Sequence, residues 1–279
     1  MTVLHESGGL SVLRFDHPSS EEPHEDPDEE AGSDVSVSFM ESGTSFEQGE
    51  VGRVVALSAG TVFLSRPGVP YRYRHRAGVA DDVCLSVRFD VGFVERDDAL
   101  AARLAAPRVR PDTNRARYLA LRLSRLAARG EALGADETAA ALLRAAVFGD
   151  GARPVTYRQL RFYSSRVDAA RDRLAERFDS PHALGALAKE AGMSPFHFAR
   201  VFAELTGAPP HRFLLNERLR RGAERLRQGD AVTETAFAVG FSSAGHFSRA
   251  FRRRYGVSPS SLSGDSQDRA SEGGARDPD

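Results

Sequence analysis

The chain has 279 residues, of which 41% are apolar and 28% are charged, and this composition is typical of a folded protein of about two domains. It contains no run of about 18 apolar residues, and its N-terminal residues lack a basic region followed by an apolar one, so we expect a cytoplasmic protein. The single cysteine, Cys84, excludes an internal disulfide and any metal site built from several cysteines.

The net charge of −1 conceals a strong segregation of charge along the chain. Residues 1–50 contain 13 acidic residues and one basic residue, whereas residues 51–165 contain 19 basic and 11 acidic residues. Residues 166–263 contain 16 basic and 10 acidic residues, and the tail 264–279 contains two basic and five acidic ones. Two basic blocks between acidic ends indicate a polyanionic partner for at least one block, the alternative being a solvated basic face.

Lysine occurs only once, as Lys189, and this excludes several classes of enzyme. A phosphate-binding loop requires a Gly-Lys-Ser/Thr sequence, whereas Lys189 follows an alanine. An enzyme that holds pyridoxal phosphate covalently would have to use this lysine, whose neighbours instead predict a short surface helix. The patterns Gly-x-Ser-x-Gly, His-Glu-x-x-His and Gly-x-Gly-x-x-Gly are also missing from the sequence, so we predict no catalytic residues.

The N-terminal half begins with short β-like segments and an acidic insertion. The segment 17–34 is acidic, contains proline and has few large apolar residues, so we expect a mobile loop there. Residues 35–39 alternate between apolar and polar, as in a half-buried strand. Further strands are predicted at 54–57, 61–64, 71–74 and 83–89, with glycine and proline between them. This spacing predicts a small antiparallel barrel or sandwich.

From about residue 111 the apolar residues recur with a helical period. One apolar stripe lies near residue 120 and a second lies at 138–148. The first stripe consists of Tyr118, Leu119, Leu121, Leu123 and Leu126. Neither stripe carries a chemically reactive group, so we predict that residues 111–165 form a packing or dimerisation region. Helices are predicted to continue to about residue 255, and the tail 264–279 is expected to be disordered.

Residues 183–256 contain one pattern written twice, offset by 48 residues before a turn and by 49 residues after it. Both copies contain a glycine, then a serine, and then the sequence Phe-x-Arg-x-Phe. The first copy consists of Ala188, Ala191, Gly192, Met193, Ser194, Phe196, His197, Phe198, Arg200, Phe202, Gly207 and Pro210. The second consists of Ala236, Val239, Gly240, Phe241, Ser242, His246, Phe247, Arg249, Phe251, Gly256 and Pro259.

Each copy has the features of a helix-turn-helix. A glycine ends the first helix because it can adopt the left-handed backbone of a C-terminal cap, and Met193 or Phe241 then fills the angle between the helices. A serine caps the second helix, and in the first copy Pro195 follows it, where no amide hydrogen bond is lost. The phenylalanines, four residues apart, face the core and turn Arg200 and Arg249 outward. Such a face enters the DNA major groove, where arginine pairs with guanine.

A third helix is predicted at about residues 211–228, between the two copies. Arginines coat much of its polar side, namely Arg212, Arg218, Arg220, Arg221, Arg225 and Arg227. About 18 residues span roughly 27 Å as a helix. This spacer suits two reading helices in successive major-groove segments, which are about 34 Å apart. Because the copies are arranged in tandem on one chain, we expect two different short DNA elements rather than the halves of a palindrome.

The repeat resembles the AraC/XylS family of transcriptional regulators over about residues 166–263, most specifically in the segment 239–259. The resemblance implies an all-α DNA-binding domain with helix-turn-helix units at 184–205 and 232–255. The base-reading residues it implies are Pro195, Phe196, Ala199, Arg200, Ala244, Gly245, His246 and Arg249. The expected phosphate contacts are Ser194, Arg212, Ser243, Arg252 and Arg253. Double-stranded DNA is the implied partner, with RNA polymerase and a second copy of the chain as further candidates.

One position departs from the family's pattern. Thr235 stands where the family usually has isoleucine and where the first copy has Leu187. We expect this threonine to loosen the packing of the second unit, and we therefore predict a smaller contribution to DNA binding from Arg249 than from Arg200.

The strands of residues 1–110 look like the cupin-type sensor domain common in this family. The predicted fold class is therefore α+β, with a small β-barrel, a helical linker and an all-α C-terminal domain. A cupin enzyme needs clustered histidine and glutamate ligands, but the sequence contains no His-x-His, and Tyr71 stands where cupins often place a histidine. His24 falls in the acidic loop and His75 beyond the strand, so we expect neither a metal nor another cofactor.

Two functions from different classes remain open at this point. The first is a transcription regulator that responds to a small-molecule or protein signal through its N-terminal domain. The second is an enzyme in which the cupin-like half does chemistry and the C-terminal half binds DNA. The missing metal ligands and the lone lysine favour the first. Stoichiometric iron, zinc or manganese in the purified protein would favour the second.

Overall fold

The computed structural model describes residues 1–17, 24–25, 33–43, 46–50, 53–69, 71–75, 82–105, 112–149 and 154–262. The chain divides into two compact units, Met1–Ser165 and Arg166–Asp279. Most of the predicted acidic loop and all of the predicted disordered tail lie outside the described residues. Among the helices that are described, none is long and apolar enough to cross a membrane.

In the described residues, the strands of the first unit form two antiparallel sheets. These strands are β1 (Thr2–Ser7), β2 (Leu10–His17), β3 (His24–Glu25), β4 (Val35–Ser42), β5 (Phe46–Glu50), β6 (Arg53–Leu57), β7 (Val62–Ser65), β8 (Tyr71–His75) and β9 (Asp82–Phe89). One sheet has the order β1-β2-β9-β4-β7 and the other has the order β3-β8-β5-β6. Both are open sheets as far as the structure describes them, and together with the helices they confirm the predicted α+β class.

Strand β4 of the larger sheet has buried residues on both faces. Val35, Val37 and Phe39 of β4 are buried on one face, as their alternation predicts. Ser38 on the other face was expected to be exposed, but it is also buried, and its hydroxyl donates to the Ser86 hydroxyl of β9 at 3.0 Å. The half-buried strand predicted at 35–39 is therefore more buried than expected, with only Ser36 half-buried, because the cross-strand pair satisfies the polar groups of Ser38 and Ser86.

The larger sheet is followed by helices α1 (Val91–Glu95), α2 (Asp98–Leu104), α3 (Asn114–Ala128), α4 (Ala132–Phe148) and α5 (Tyr157–Glu176). Helix α3 begins at the cap Thr113, whose hydroxyl accepts from the amide of Ala116 at 3.1 Å. It packs against α4 with most of its predicted apolar stripe buried, whereas Leu121 is only half-buried. Packing within the unit accounts for much of this stripe, and dimerisation through it stays a prediction.

The start of α5 is hydrogen-bonded to the rest of the first unit. The buried Arg117 donates to the carbonyl of Gly60 and, at 2.7 Å, to the carbonyl of Val155. The amide of Val155 in turn donates to the side chain of Asn114 at 2.9 Å. The hydroxyl of Tyr157 donates to the carbonyl of Glu41 at 2.8 Å. These bonds link the chain before α5 to α3 and to the larger sheet.

Cys84 on β9 is predicted to be unreactive in the folded protein. It packs against Met40, Leu57 and Phe63, and burial raises the pKa of its thiol to about 12. Because the thiolate is the reactive form, we expect alkylation by iodoacetamide at pH 8 to be about a thousandfold slower in the folded chain than in guanidinium chloride. Mass spectrometry of timed samples measures both rates. Comparable rates in the two conditions would contradict the prediction.

The second unit is helical in its described residues. Its further helices are α6 (Leu184–Glu190), α7 (Pro195–Thr206), α8 (Pro210–Arg227), α9 (Val232–Ala238) and α10 (Ala244–Tyr255), with a short 3-10 turn at Pro259–Ser261. Helices α6 and α7 pack against each other, as do α9 and α10, and α8 contacts α7, α9 and α10. The unit therefore consists of two helix pairs joined by one longer helix.

Candidate nucleic-acid interface

The turn between α6 and α7 has the geometry that its sequence predicts. Gly192 adopts a left-handed backbone with φ of 66°, and the amide of Met193 donates back to the carbonyl of Ala188 at 2.9 Å. Ser194 caps α7, and its hydroxyl accepts from the amide of His197 at 3.4 Å. Pro195 is the first residue of α7.

The turn between α9 and α10 repeats this geometry with one additional residue. Gly240 has a φ of 84°, and the amide of Phe241 donates to the carbonyl of Ala236 at 3.0 Å. The cap of α10 is Ser243, which accepts from the amide of His246 at 3.2 Å. The serine of the repeated pattern, Ser242, precedes this cap. The longer turn explains why the offset between the copies rises from 48 to 49 residues.

Paired phenylalanines fix the inner faces of α7 and α10. Phe198 and Phe202 are fully buried with ring centroids 5.6 Å apart, and Phe202 also contacts Phe213 of α8. Phe247 and Phe251 are likewise fully buried, 5.4 Å apart. Since each pair occupies one side of its helix, the residues between them point away from the core.

The predicted base-reading residues lie in the first two turns of α7 and α10, outside the core. Most are exposed, and Phe196 is 82% exposed although it is aromatic. The exposed ones are Pro195, Phe196, Arg200, Gly245, His246 and Arg249, and the half-buried ones are Ala199 and Ala244. Both predicted sets are therefore accessible on their helices, and their contacts with bases stay a prediction.

Three of these side chains have local partners that restrict their positions. A guanidinium nitrogen of Arg200 lies 3.3 Å from the Nδ1 atom of His197. The His246 ring packs edge-on against Phe241, with centroids 5.4 Å apart. The guanidinium of Arg249 lies beside Gly245, and one of its nitrogens would be 3.6 Å from a Cβ atom placed on that glycine. His246 is thus anchored to the hydrophobic core of the second helix pair.

The predicted phosphate contacts are all exposed and lie at helix ends. Ser194 and Ser243 are the N-caps of α7 and α10, so their hydroxyls accept from backbone amides and keep an O–H to donate. Arg212 lies in the first turn of α8, and Arg252 and Arg253 lie in the last turn of α10. All five are therefore accessible, and their contacts with phosphates stay a prediction.

Ion pairing divides the arginines of this unit into two groups. On α8, Arg220 and Arg221 pair with Glu217 and Glu224, and Arg225 pairs with Asp230 at 2.7 Å. The arginines predicted to coat α8 are therefore largely engaged within the protein. In the part of the chain that the structure describes, no ion pair to an acidic residue is formed by Arg200, Arg212, Arg249, Arg252 or Arg253.

Comparisons with known proteins match this region. Residues 187–264 match a family model described as a helix-turn-helix domain. The chain is 44% identical over 70 residues to the HTH-type transcriptional regulator MtrA of Neisseria gonorrhoeae, covering 25% of this chain and 23% of that protein. It is 43% identical over 82 residues to the HTH-type transcriptional regulator Rv1931c of Mycobacterium tuberculosis, covering 28% and 30%.

The C-terminal unit contains an AraC-type helix-turn-helix domain. The matched region spans less than a third of the length of these two relatives. A solved structure of a probable AraC family transcriptional regulator from Rhodopseudomonas palustris is similar at 27% identity over 35% of this chain and 94% of that chain, with a TM-score of 0.33.

Arg218 links distant segments of the AraC-type domain, a role that its place among the arginines of α8 does not predict. Its guanidinium donates to three carbonyl groups, those of Phe178 at 2.7 Å, Ser180 at 3.0 Å and Gly240 at 2.9 Å. Burial lowers its pKa and Asp179 raises it in part, and the group stays protonated at neutral pH. Arg218 thereby ties the turn before α10 to the segment that follows α5.

Thr235 occupies a fully buried position in the AraC-type domain. Its hydroxyl oxygen has no hydrogen-bond partner within the described residues. A buried hydroxyl without a partner loses its bonds to water and gains none in return. This unsatisfied polar group is a physical reason to expect looser packing of the second helix-turn-helix unit, and the loosening stays a prediction.

Replacing Thr235 by valine is expected to stabilise the domain, because valine keeps the shape of the side chain and removes the unsatisfied hydroxyl. We expect the free energy of unfolding to rise by about 1 kcal/mol, measured by urea denaturation. Thr206→Val is the matched control, since the Thr206 hydroxyl donates to the carbonyl of Phe202 at 2.8 Å, and it should destabilise the domain. Destabilisation by Thr235→Val would contradict the prediction.

Proposed function

We propose that this chain is a sequence-specific DNA-binding transcription regulator. The observation that carries the proposal is the division of the arginines in the AraC-type domain. On α8, Arg220, Arg221 and Arg225 are neutralised by neighbouring carboxylates. By contrast, the exposed arginines Arg200 on α7 and Arg249, Arg252 and Arg253 on α10 form no ion pair in the described residues. Exposed guanidiniums on paired helix-turn-helix units are suited to a polyanion.

The exposed arginines are proposed to make two kinds of contact with DNA, one with bases and one with phosphates. Arg200 and Arg249 read guanine edges in the major groove through paired hydrogen bonds. Phe196, exposed beside Arg200, offers an apolar surface to a thymine methyl group. Arg212, Arg252 and Arg253 contact phosphates, and the capping serines add neutral donors.

The N-terminal unit is proposed to be a cupin-like sensing domain at 1–110, followed by a linker and dimerisation region at 111–165. Its β-rich fold, with helices packed against it, supports this division of roles. The described residues contain no group of three or more metal-ligating side chains. A signal received here is proposed to change how the AraC-type domain engages DNA, with RNA polymerase as the downstream partner.

Selection from a random DNA pool with the full chain tests the proposed function. We expect an enriched site composed of two different short elements about one helical turn apart, because the reading helices are tandem copies on one chain. A footprint of one chain on half of a palindrome would contradict this arrangement. The failure to enrich any sequence would contradict the proposed function itself.

Salt dependence of binding to the selected site provides a second readout. Three phosphate-bound arginines predict a slope of about −3 or steeper when the logarithm of the binding constant is plotted against that of the salt concentration. Residues 166–263 alone should give a similar slope, because both reading units and the predicted phosphate contacts lie within them. Binding that does not depend on salt would show that these arginines do not face the DNA.

A further inference from the structure

A cavity of about 650 Å³ lies in the N-terminal unit, outside the proposed DNA interface. It is lined by residues of the larger sheet and of helices α3 and α5. Its volume is within the range of about 300–1,000 Å³ that is typical of small-molecule sites in proteins.

The wall of this cavity is positively charged. Three arginines line it, Arg14, Arg125 and Arg161, and Glu41 is the one acidic residue among the lining residues. The carboxylate of Glu41 pairs with Arg14 at 2.9 Å. Arg14 also pairs with Asp16 at 3.0 Å, so its charge is balanced within the protein, and the remaining positive charge of the lining favours an anionic occupant.

Serine residues also line the cavity. Ser42, Ser124, Ser164 and Ser165 all line the cavity. Ser164 is only 1% exposed, and its hydroxyl oxygen has no hydrogen-bond partner within the described residues. Because a buried hydroxyl without a partner is unfavourable, this residue points to a polar ligand atom.

The remaining lining residues are apolar or aromatic. Val83, Leu121 and Phe162 supply apolar surface, and Phe162 is 45% exposed. The Tyr157 hydroxyl is already engaged with the carbonyl of Glu41 at 2.8 Å. The guanidinium of Arg161 lies over the Tyr157 ring, 5.9 Å from its centroid, which holds this arginine at the cavity wall.

We propose that this cavity binds a phosphate monoester that carries an apolar group. Such an ester carries three terminal oxygens, whereas a carboxylate carries two, and so it can engage more of the hydrogen-bond donors in the lining at once. Its oxygens accept from guanidinium and serine donors. The apolar group lies on Val83, Leu121 and Phe162.

The inference deepens the proposed function, on which it rests for its biological meaning, because the ligand would be the signal that the N-terminal unit senses. Helix α5 supplies Arg161 and Ser164 to the cavity and continues along the chain to Glu176, within the second unit. Ligand binding therefore acts directly on the helix that leads into the DNA-binding unit.

Calorimetric titration of the full chain with phenyl phosphate tests the inference. Phenol, which lacks the anion, and inorganic phosphate, which lacks the apolar group, are the matched compounds. We expect phenyl phosphate to bind at least about tenfold more tightly than either, since charge-assisted hydrogen bonds and apolar burial both contribute. Undetectable binding of phenyl phosphate, or equal affinity for phenol, would overturn the inference.

Three substitutions locate the binding in this cavity. Arg161→Glu should weaken phenyl phosphate binding at least about tenfold, whereas Arg158→Glu, an exposed residue of α5 that does not line the cavity, should change it less than about twofold. Ser164→Ala should weaken binding while preserving the fold, because it removes only an unsatisfied hydroxyl. Equal effects of the two charge reversals would place the binding elsewhere.

Binding of the selected DNA site by the same preparations separates this inference from the proposed function. A chain that binds its DNA site but not phenyl phosphate would overturn the inference alone. A chain that binds phenyl phosphate but enriches no DNA sequence would overturn the proposed function and leave the cavity as a ligand site.

Discussion

Replacing Gly240 by alanine is expected to destabilise the AraC-type domain by about 3 kcal/mol or more. Two costs combine at this position. The backbone at Gly240 is left-handed, with a φ of 84°, which strains any residue with a Cβ. That Cβ would also lie 2.9 Å from the carbonyl carbon of Asp179. The backbone there cannot easily move, because Arg218 holds the carbonyls of Phe178 and Ser180 on either side.

Gly192→Ala is the matched control for this prediction. Gly192 occupies the equivalent position in the first helix-turn-helix unit, with a φ of 66°. A Cβ atom on this residue would have no other atom within 4 Å. It should therefore show only the backbone cost, about 1–2 kcal/mol. Urea denaturation of the two variants, followed by far-UV circular dichroism, measures the difference. Equal destabilisation would show that the segment around Asp179 does not press on the turn.

Replacing Arg200 or Arg249 by alanine is expected to weaken binding to the selected DNA site by about 1–3 kcal/mol each and to relax the preference at one base position. Each side chain is exposed on the face opposite a buried phenylalanine pair, so its loss removes a base contact without disturbing the core. The effect of Arg249→Ala is expected to be the smaller one, because Thr235 leaves an unsatisfied hydroxyl in the core of the second helix-turn-helix unit.

Arg253→Ala is the control for base reading. If Arg253 contacts phosphate, its loss should weaken binding to all sequences about equally and reduce the salt slope by about one unit. Site selection repeated with each variant distinguishes the two behaviours. An unchanged sequence preference for both Arg200→Ala and Arg249→Ala would mean that another helix face meets the DNA. Equal losses for the two would remove only the argument from Thr235.

The helix-turn-helix units were predictable because their signals are local. Each signal acts within one or two helical turns. The signals are a glycine with a left-handed backbone, a serine that caps the amide three residues later, and two phenylalanines four residues apart. The doubled pattern, with its offset of 48 and then 49 residues, gave both units at once. The exposed positions of Arg200 and Arg249 follow from helical geometry alone.

Other features depend on contacts between residues distant in the chain. Arginines of α8 look alike in the sequence, yet Arg218 is bonded to carbonyls 22 to 40 residues away while Arg220 and Arg221 pair with neighbouring glutamates. The burial of Ser38 likewise depends on Ser86, 48 residues along the chain.

Local chemistry in the sequence therefore determined the two helix-turn-helix units, their caps and the exposed faces of the reading helices. The tertiary structure alone decided the order of the strands, the division of the arginines into paired and unpaired groups, and the cavity lined by the larger sheet, α3 and α5. The physical reason is the range of the interactions. Caps and helical periodicity act over a few residues, whereas sheet register, salt bridges and cavity walls join segments that only the folded chain brings together.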